Sequence, residues 1–386
     1  MEAVKVTIIP KEDKKPLLEH FSELEDPRID RNIKHNMMDI ITIAICAVIA
    51  NANDWNEIET WAFCKKDWLR TFLVLPNGIP SHDTFNRFFS SVDPQEFLRC
   101  FSSWIHAIGL IVEGTVISID GKRLRRSHDE RFGKSALHLV SAWASDLHLS
   151  LGQVKTADKS NEITAIPELL NLLSIKGCII TIDAMGCQKE IATQIVDKKA
   201  DYVLALKGNH GDLHDDVKTY FDEAEKSNFK NKNCAIFQTL EKDHGRIEKR
   251  ILVATNDIRW LNGKNDWKGL KSIVMVTSER KEKAKKSIER RYYITSVAPN
   301  AEKIGQYIRS HWSIENKLHW QLDVNFKEDQ SRMRNKNSGE NFAAIRRMAI
   351  SLLKQETTKK LSMKCKRLLA GWDNEYLLKI LGVKTI

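Results

Sequence analysis

Apolar residues in the first 110 positions recur with the helical period. The stretches "HNMMDIITIAICAVIANA" (35–52), "WNEIETWAFCKKDWLRTFL" (55–73) and "DPQEFLRCFSSWIHAIGLI" (93–111) carry them at three- and four-residue spacing, which predicts amphipathic helices. Between them lies "PNGIPSHDTFNRFFSS" (76–91), where Pro76-Asn77-Gly78 reads as a turn and Ser81 as the N-cap of a short helix. A turn followed by a helix bearing Asn86 and Arg87 fits either a groove-reading helix or an ordinary helical hairpin. From about 114 the period shortens. "TVISID" (115–120) is a β-branched strand, and "ALHLVSAWAS" and "LHLSLGQV" alternate around Asp146 as a hairpin does.

Strands and helices then interleave. "EITAIPELLNLL" (162–173) is helical with Pro167 inside it; "CIITID" (178–183) is a strand, "QKEIATQIVDKKA" a helix, "YVLALK" (202–207) a strand, and a helix starts near 211. That order predicts an α/β fold, a mixed sheet with helices on its faces. A second strand-rich stretch, about 234–297, reads as an insertion, because helix resumes at 301 and runs through "SHWSIENKLHWQLDVNFKED" (310–329). A last long helix covers "GENFAAIRRMAISLLKQE" (339–356), and the C-terminal tail is helical and basic.

A chain of 386 residues with net charge +10 has room for several cores, and its charge is compatible with a polyanionic partner. Basic clusters stand at "GKRLRRS" (121–127), "SERKEKAKKSIERR" (278–291) and "KKLSMKCKR" (359–367); each could equally be a solvated face. The longest apolar run, 40–52, is too short to cross a bilayer. No secretory signal opens the chain. Seven scattered cysteines without a C-x-x-C pair fit reduced thiols and argue against a cysteine-built zinc site. The expected setting is therefore cytoplasmic, with no membrane partner.

Two strands share one pattern: "ISID-G" ends at Asp120 and "ITID-A-M-G" at Asp183. Each aspartate could cap the turn after it. Brought side by side, however, two carboxylates repel unless a proton or a cation lies between them. Oxygen ligands without cysteine favour Mg²⁺ or Mn²⁺ over Zn²⁺. Four more acids lie in 310–329. On a regular helix Asp323 stands ~12 Å along the axis from Glu315, Asp329 ~21 Å, and Glu328 falls near the opposite face. One of them at most can join the aspartate pair. Glu315, flanked one turn away by His311 and His319, is the candidate; Asp323, Glu328 and Asp329 read as structural or, should the chain bind a polyanion, as residues flanking it. The same H-x-x-x-E-x-x-x-H spacing raises a zinc helix, but its three members span ~12 Å, too far for one ion. Trp312 and Trp320 read as core residues, with stacking on a displaced base as the alternative.

Two strand-end aspartates, a helical glutamate and a strand-rich insertion before it resemble a DDE transposase. Specifically, "ISIDGKRLRRS", "TIDAMGCQKEIA", "DYVLALKGNHG", "DHGRIEKR" and "IRSHWSIENKLHWQLDVNFKED" resemble, in order, the blocks of bacterial insertion-sequence transposases of the ISAs type, the H-repeat-associated group. "FSELEDPRIDRNIKHNMMDI" is similar to that group's N-terminal associated domain. The resemblance implies a ribonuclease H-like mixed sheet flanked by helices, with an inserted β-rich subdomain (about 230–299) inside a catalytic domain at 111–356. A helical N-terminal domain at 1–110, able to bind DNA ends, and a basic helical tail at 357–386 complete the expected organisation. It makes Asp120, Asp183 and Glu315 the catalytic, metal-binding triad, using Mg²⁺ with Mn²⁺ as a substitute. Expected DNA contacts are Lys122, Arg123, Arg125, Arg126, Lys207, Asn209, His244, Arg246, Arg250, Arg309 and Lys317. In the wider superfamily a tyrosine, an arginine and a lysine accompany the glutamate. Here His311 stands at the arginine position, Tyr307 is one residue early, and Leu322 occupies the lysine position. The implied activity is metal-dependent cleavage at terminal inverted repeats and strand transfer into target double-stranded DNA, with self-association at synapsis and nucleoid association on DNA. A ribonuclease H-like nuclease without transposition, or an inactive DNA-binding derivative, are the alternatives.

Overall fold

The computed structural model describes residues 17–29, 33–107, 112–128, 135–157, 161–230, 232–243, 246–282 and 285–382. Along the chain come helices α1 (Met37–Ile49), α2 (Trp55–Cys64), α3 (Lys66–Leu69), α4 (His82–Ser91) and α5 (Pro94–Ala107), then strands β1 (Val116–Arg123), β2 (His138–Ala144) and β3 (Leu149–Lys155). Next are α6 (Glu162–Leu172), β4 (Ile179–Ile182), α7 (Lys189–Asp197), β5 (Asp201–Leu206) and α8 (Gly211–Lys226). Four strands come after these: β6 (Cys234–Asp243), β7 (Arg246–Thr255), β8 (Ser272–Glu282) and β9 (Lys285–Thr295). The chain returns to helix in α9 (Ala301–Ser313), α10 (Trp320–Phe326), α11 (Ser338–Gln355), α12 (Met363–Trp372) and α13 (Asn374–Leu381). No described helix is long and apolar enough to cross a membrane. All seven cysteines are unpaired, and four of them are buried.

The chain divides into two compact units, one of residues 1–112, 121–158 and 316–386, the other of 113–120 and 159–315. In the first unit the helices start where short polar side chains can bond the free N–H groups. Asn36, Asp54 and Ser81 accept from the backbone of Met38, Glu57 and Thr84. In α4, Phe85, Phe88 and Phe89 are buried, and Trp55 stacks on Phe85 and Phe89 with Phe342 edge-on. Asn86, one of the two residues proposed for a groove, accepts from the Ser338 hydroxyl at 2.9 Å. The phenylalanine face of α4 is therefore packed in the core, and Asn86 is engaged within this unit. The centre of this unit is α11, buried from Ser338 to Leu353 apart from Glu340, and β2 pairs antiparallel with β3 as the alternation predicted.

In the second unit the strand order is β1-β4-β5-β9-β8-β7-β6. The first three are parallel, β5 meets β9 antiparallel, and β9 to β6 form an antiparallel meander. The strand-rich insertion is thus an extension of the main sheet. Helix α9 lays Ile304 and Ile308 against Leu252, Val274 and Val276. Gly305 permits that approach, since a Cβ there would stand 2.9 Å from Leu252 Cδ2. The expected strand end at Asp120 is corrected: β1 continues through Gly121 to Arg123. Asp120 lies instead one residue beyond the paired stretch, where β4 stops at Ile182.

Candidate active site

The short aliphatic runs of β1 and β4 are buried on both faces, as parallel strands must be. They pair in the register Ser118↔Thr181 and Ile119↔Ile182. One residue further, the same register brings Asp120 level with Asp183. Alternation puts Ser118 and Asp120 on one face and Thr181 and Asp183 on the matching face of the neighbour. Thr181 Oγ1 donates to Ser118 Oγ at 3.1 Å, and Ser118 Oγ donates to the Ser310 carbonyl of α9 at 3.3 Å.

Glu315 does not sit in a regular helix. Ile314–His319 is π-helical, between α9 and α10. The Ile314 N–H goes to the His311 carbonyl. A π turn carries an extra residue and shifts the phase of the helix beyond it, so the ~100° step assumed from Glu315 to Asp323 does not hold here. Glu315 itself is exposed.

A cleft of about 450 Å³ in the second unit brings Asp120, Asp183 and Glu315 together, lined also by Thr181, His311 and Lys207. His311 Nδ1 lies 3.0 Å from Thr181 Oγ1. Burial pushes its imidazole below the usual histidine range, against the pull of Asp183 and Thr181. Asp183 also has the turn-capping role left open by the sequence, accepting from the backbone of Met185 at 3.1 Å and Gly186 at 3.4 Å. Asn209 donates to the Ala184 carbonyl at 3.0 Å, so it braces that turn. Among the described residues, no three His, Cys, Asp or Glu side chains stand close enough to hold one metal ion. The three acids fit a hard divalent ion in kind, but they are not drawn in around a single point.

Trp312 is 41% exposed at the cleft, with the Arg291 guanidinium 4.7 Å from its ring centre, and Trp320 is 53% exposed. Neither is the core residue expected from its spacing. The reason is local: Ile314, Leu318 and Leu322 supply the buried stripe, leaving the tryptophans on other faces.

The basic residues divide sharply. Lys122 is buried, its ammonium 2.6 Å from Asp323, 2.9 Å from Asp329 and 3.5 Å from Glu328. Burial opposes its charge, but these acids hold its pKa above the usual lysine value. This placement runs against a phosphate contact for Lys122 and gives Asp323 and Asp329 a shared cation. Arg123, Arg125 and Arg126 are exposed, with Arg125 3.3 Å from Asp329. Arg250 pairs with Glu248 at 2.8 Å and Glu241 at 3.2 Å, Arg246 lies 3.6 Å from Glu248, and Arg309 makes a bidentate pair with Glu241. Lys207 and Lys317 are exposed. His244 lies outside the described residues. Sequence reasoning missed Ser118 and Thr181; their position two residues before each aspartate was the available signal. It also missed the buried Glu328–Arg347 pair at 2.7 Å.

Comparison with known proteins bears on what this cleft belongs to. A family model described as "Transposase DDE domain" matches residues 105–352, and one described as "DDE_Tnp_1-associated" matches residues 18–105. The chain belongs to the DDE transposase family. It is 43% identical to "Putative transposase YncI" of Escherichia coli O157:H7 over 95% of this chain and 94% of that one. It is 41% identical to "H repeat-associated putative transposase YhhI" of Escherichia coli K12, over 95% and 98%. The piggyBac transposase synaptic complex with hairpin DNA, solved by cryo-EM, overlaps loosely, with TM-score 0.42 and 13% identity over 95% of this chain and 78% of that one. The resemblance to H-repeat-associated DDE transposases therefore stands, and the fold itself is of the expected mixed α/β class. This transposase family acts on DNA and normally uses a divalent metal ion.

Proposed function

We propose that Asp120, Asp183 and Glu315 are the catalytic acids of this DDE transposase and hold Mg²⁺, with Mn²⁺ able to substitute. The observation that carries the reading is the convergence of these three carboxylates, from two parallel strands and one helix, on a single cleft. When bound, divalent ions there supply a lowered water pKa and charge neutralisation at the scissile phosphate. The chain's own groups do the rest. Lys207 at the cleft offers a cation to the phosphate being cut, and the exposed Arg123, Arg125, Arg126 and Lys317 of the other unit bind DNA phosphates by charge. At each terminal inverted repeat, a water oxygen bonds to phosphorus as the P–O3′ bond breaks, and the departing 3′-oxygen takes a proton. That 3′-hydroxyl then attacks a target phosphodiester in the same cleft, which releases a target 3′-hydroxyl. The N-terminal helices serve end binding, and two ends held together call for self-association at synapsis.

Asp120→Asn, Asp183→Asn and Glu315→Gln should each abolish cleavage and joining with Mg²⁺ or Mn²⁺ while terminal-repeat binding persists in a mobility-shift assay. Normal cutting by Glu315→Gln, with loss in Asp323→Asn or Glu328→Gln, would overturn the assignment. Cleavage without joining of 3′-ends would mark a nuclease instead.

A further inference from the structure

Each of the three acids has a hydroxyl or imidazole close behind it in the chain. Ser118 precedes Asp120 by two residues, Thr181 precedes Asp183 by two across the end of β4, and His311 precedes Glu315 by four, where α9 passes into the π-helical segment. Those three side chains are linked to one another. His311 Nδ1 and Thr181 Oγ1 are 3.0 Å apart, Thr181 and Ser118 hydroxyls 3.1 Å, and Ser118 Oγ and the Ser310 carbonyl 3.3 Å. Ser118 and Thr181 are buried to 0% and 2% exposure, so water does not compete for these bonds.

The direction of the chain is set by proton counting. A carbonyl only accepts, so the single Ser118 hydroxyl proton goes to Ser310. Ser118 Oγ must then accept from Thr181, which commits the Thr181 proton. Thr181 Oγ1 therefore accepts from His311, and the hydrogen of the imidazole resides on Nδ1. A neutral imidazole in that tautomer carries its lone pair on Nε2. His311 lines the same cleft as the three acids.

We propose that Ser118, Thr181 and His311 form a one-way hydrogen-bond chain that positions the three acid-bearing elements and leaves His311 Nε2 as the hydrogen-bond acceptor that orients the attacking water or 3′-hydroxyl. This rests on the catalytic reading of the three acids. Ser118 and Thr181 are positioning residues; His311 touches the nucleophile and transfers no proton. The switch from α- to π-helix falls at the same place. The Ile314 N–H turns to the His311 carbonyl, while the Ser310 carbonyl, its partner in a regular helix, accepts from Ser118. The chain and the helix irregularity are thus one local arrangement. A π turn at such a position is a recurring companion of functional sites.

The test uses the full chain with Mn²⁺ and terminal-repeat DNA. Thr181→Val should lower the cleavage rate roughly 10- to 100-fold, the range for lost partners that orient ligating groups, with terminal-repeat affinity unchanged. Thr181→Ser should restore most of the rate. His311→Asn keeps a donor near Nδ1 but nothing at Nε2, whereas His311→Gln reaches the Nε2 position; the Gln variant should cut faster. A wild-type rate in Thr181→Val overturns the chain, and equal rates in the two His311 variants overturn the acceptor role. Nitrogen-15 NMR of histidine-labelled protein reads the chain without activity. His311, identified by the signal lost in His311→Asn, should be the Nδ1–H tautomer, and Thr181→Val should release it to a mixture. If wild-type protein fails to cut DNA, the catalytic reading falls, while an unchanged tautomer in Thr181→Val still overturns the chain.

Discussion

Glu328 has no exposed surface, and Arg347, its partner at 2.7 Å, has 2%. Burial alone would raise the Glu328 carboxyl, but Arg347, Lys122 and Arg346 outweigh it and hold the pKa at about 2. A carboxylate depressed on folding stabilises above its unfolded pKa, near 4.5. That contribution is lost as pH falls through the folded value. The urea midpoint should therefore drop between about pH 5 and about pH 2, and Glu328→Gln should flatten that drop. Removing the cation is the harsher change: Arg347→Met strands a buried negative charge and should cost about 3–5 kcal/mol in urea unfolding at neutral pH. None of this was legible in "NFKED". A carboxylate in sequence carries no mark of whether its neighbours will be water or a guanidinium brought from a helix nineteen residues on.

At the scale of elements, the turn after β4 does two jobs with few residues. Asp183 leaves the strand, faces the cleft and holds the backbone of Met185 and Gly186. Gly186 has no room for more: a Cβ would lie 2.4 Å from Ile182 Cγ2 and 2.7 Å from Ile166 Cδ1. Gly186→Ala should cost about 1–3 kcal/mol through overpacking, read as a lower melting temperature. Cleavage should fall further than DNA binding, because the strained turn carries Asp183; equal losses would mean the turn has no special hold on the acid. The strands and helices here were readable from period and β-branching, including the hairpin of β2 and β3 and the meander of β6 to β9. The length of β1 and the π segment at Ile314–His319 were not. Strand ends are set by pairing partners, and a π turn is selected by what the helix meets, neither of which the local pattern contains.

At the scale of the whole molecule, a net charge of +10 and a family that acts on DNA predict salt-sensitive binding. Affinity for terminal-repeat DNA should fall roughly a thousandfold or more between ~50 mM and ~200 mM salt if six or more phosphates are neutralised. The placement of individual cations sharpens this. Arg126→Ala, at an exposed residue, should reduce the slope of log K against log salt by about one. Lys122→Met should leave the slope unchanged and instead lower stability, because Asp323 and Asp329 lose their shared cation. A reduced slope for Lys122→Met would restore it to the phosphate contacts.

The sequence by itself determined the order of elements, the α/β class, the family, and the three acids whose side chains line the cleft. Periodicity and local motifs are enough for these, since each depends on residues near in the chain. Only tertiary structure decided which cations are free. Lys122 and Arg126 look alike in "GKRLRRS", yet one is buried among three carboxylates and the other is exposed. It also decided that Trp312 faces the cleft and that Ser118, Thr181 and His311 meet. Charge and hydrogen bonding act over a few ångströms of space, and the chain brings those partners from sixty to two hundred residues away.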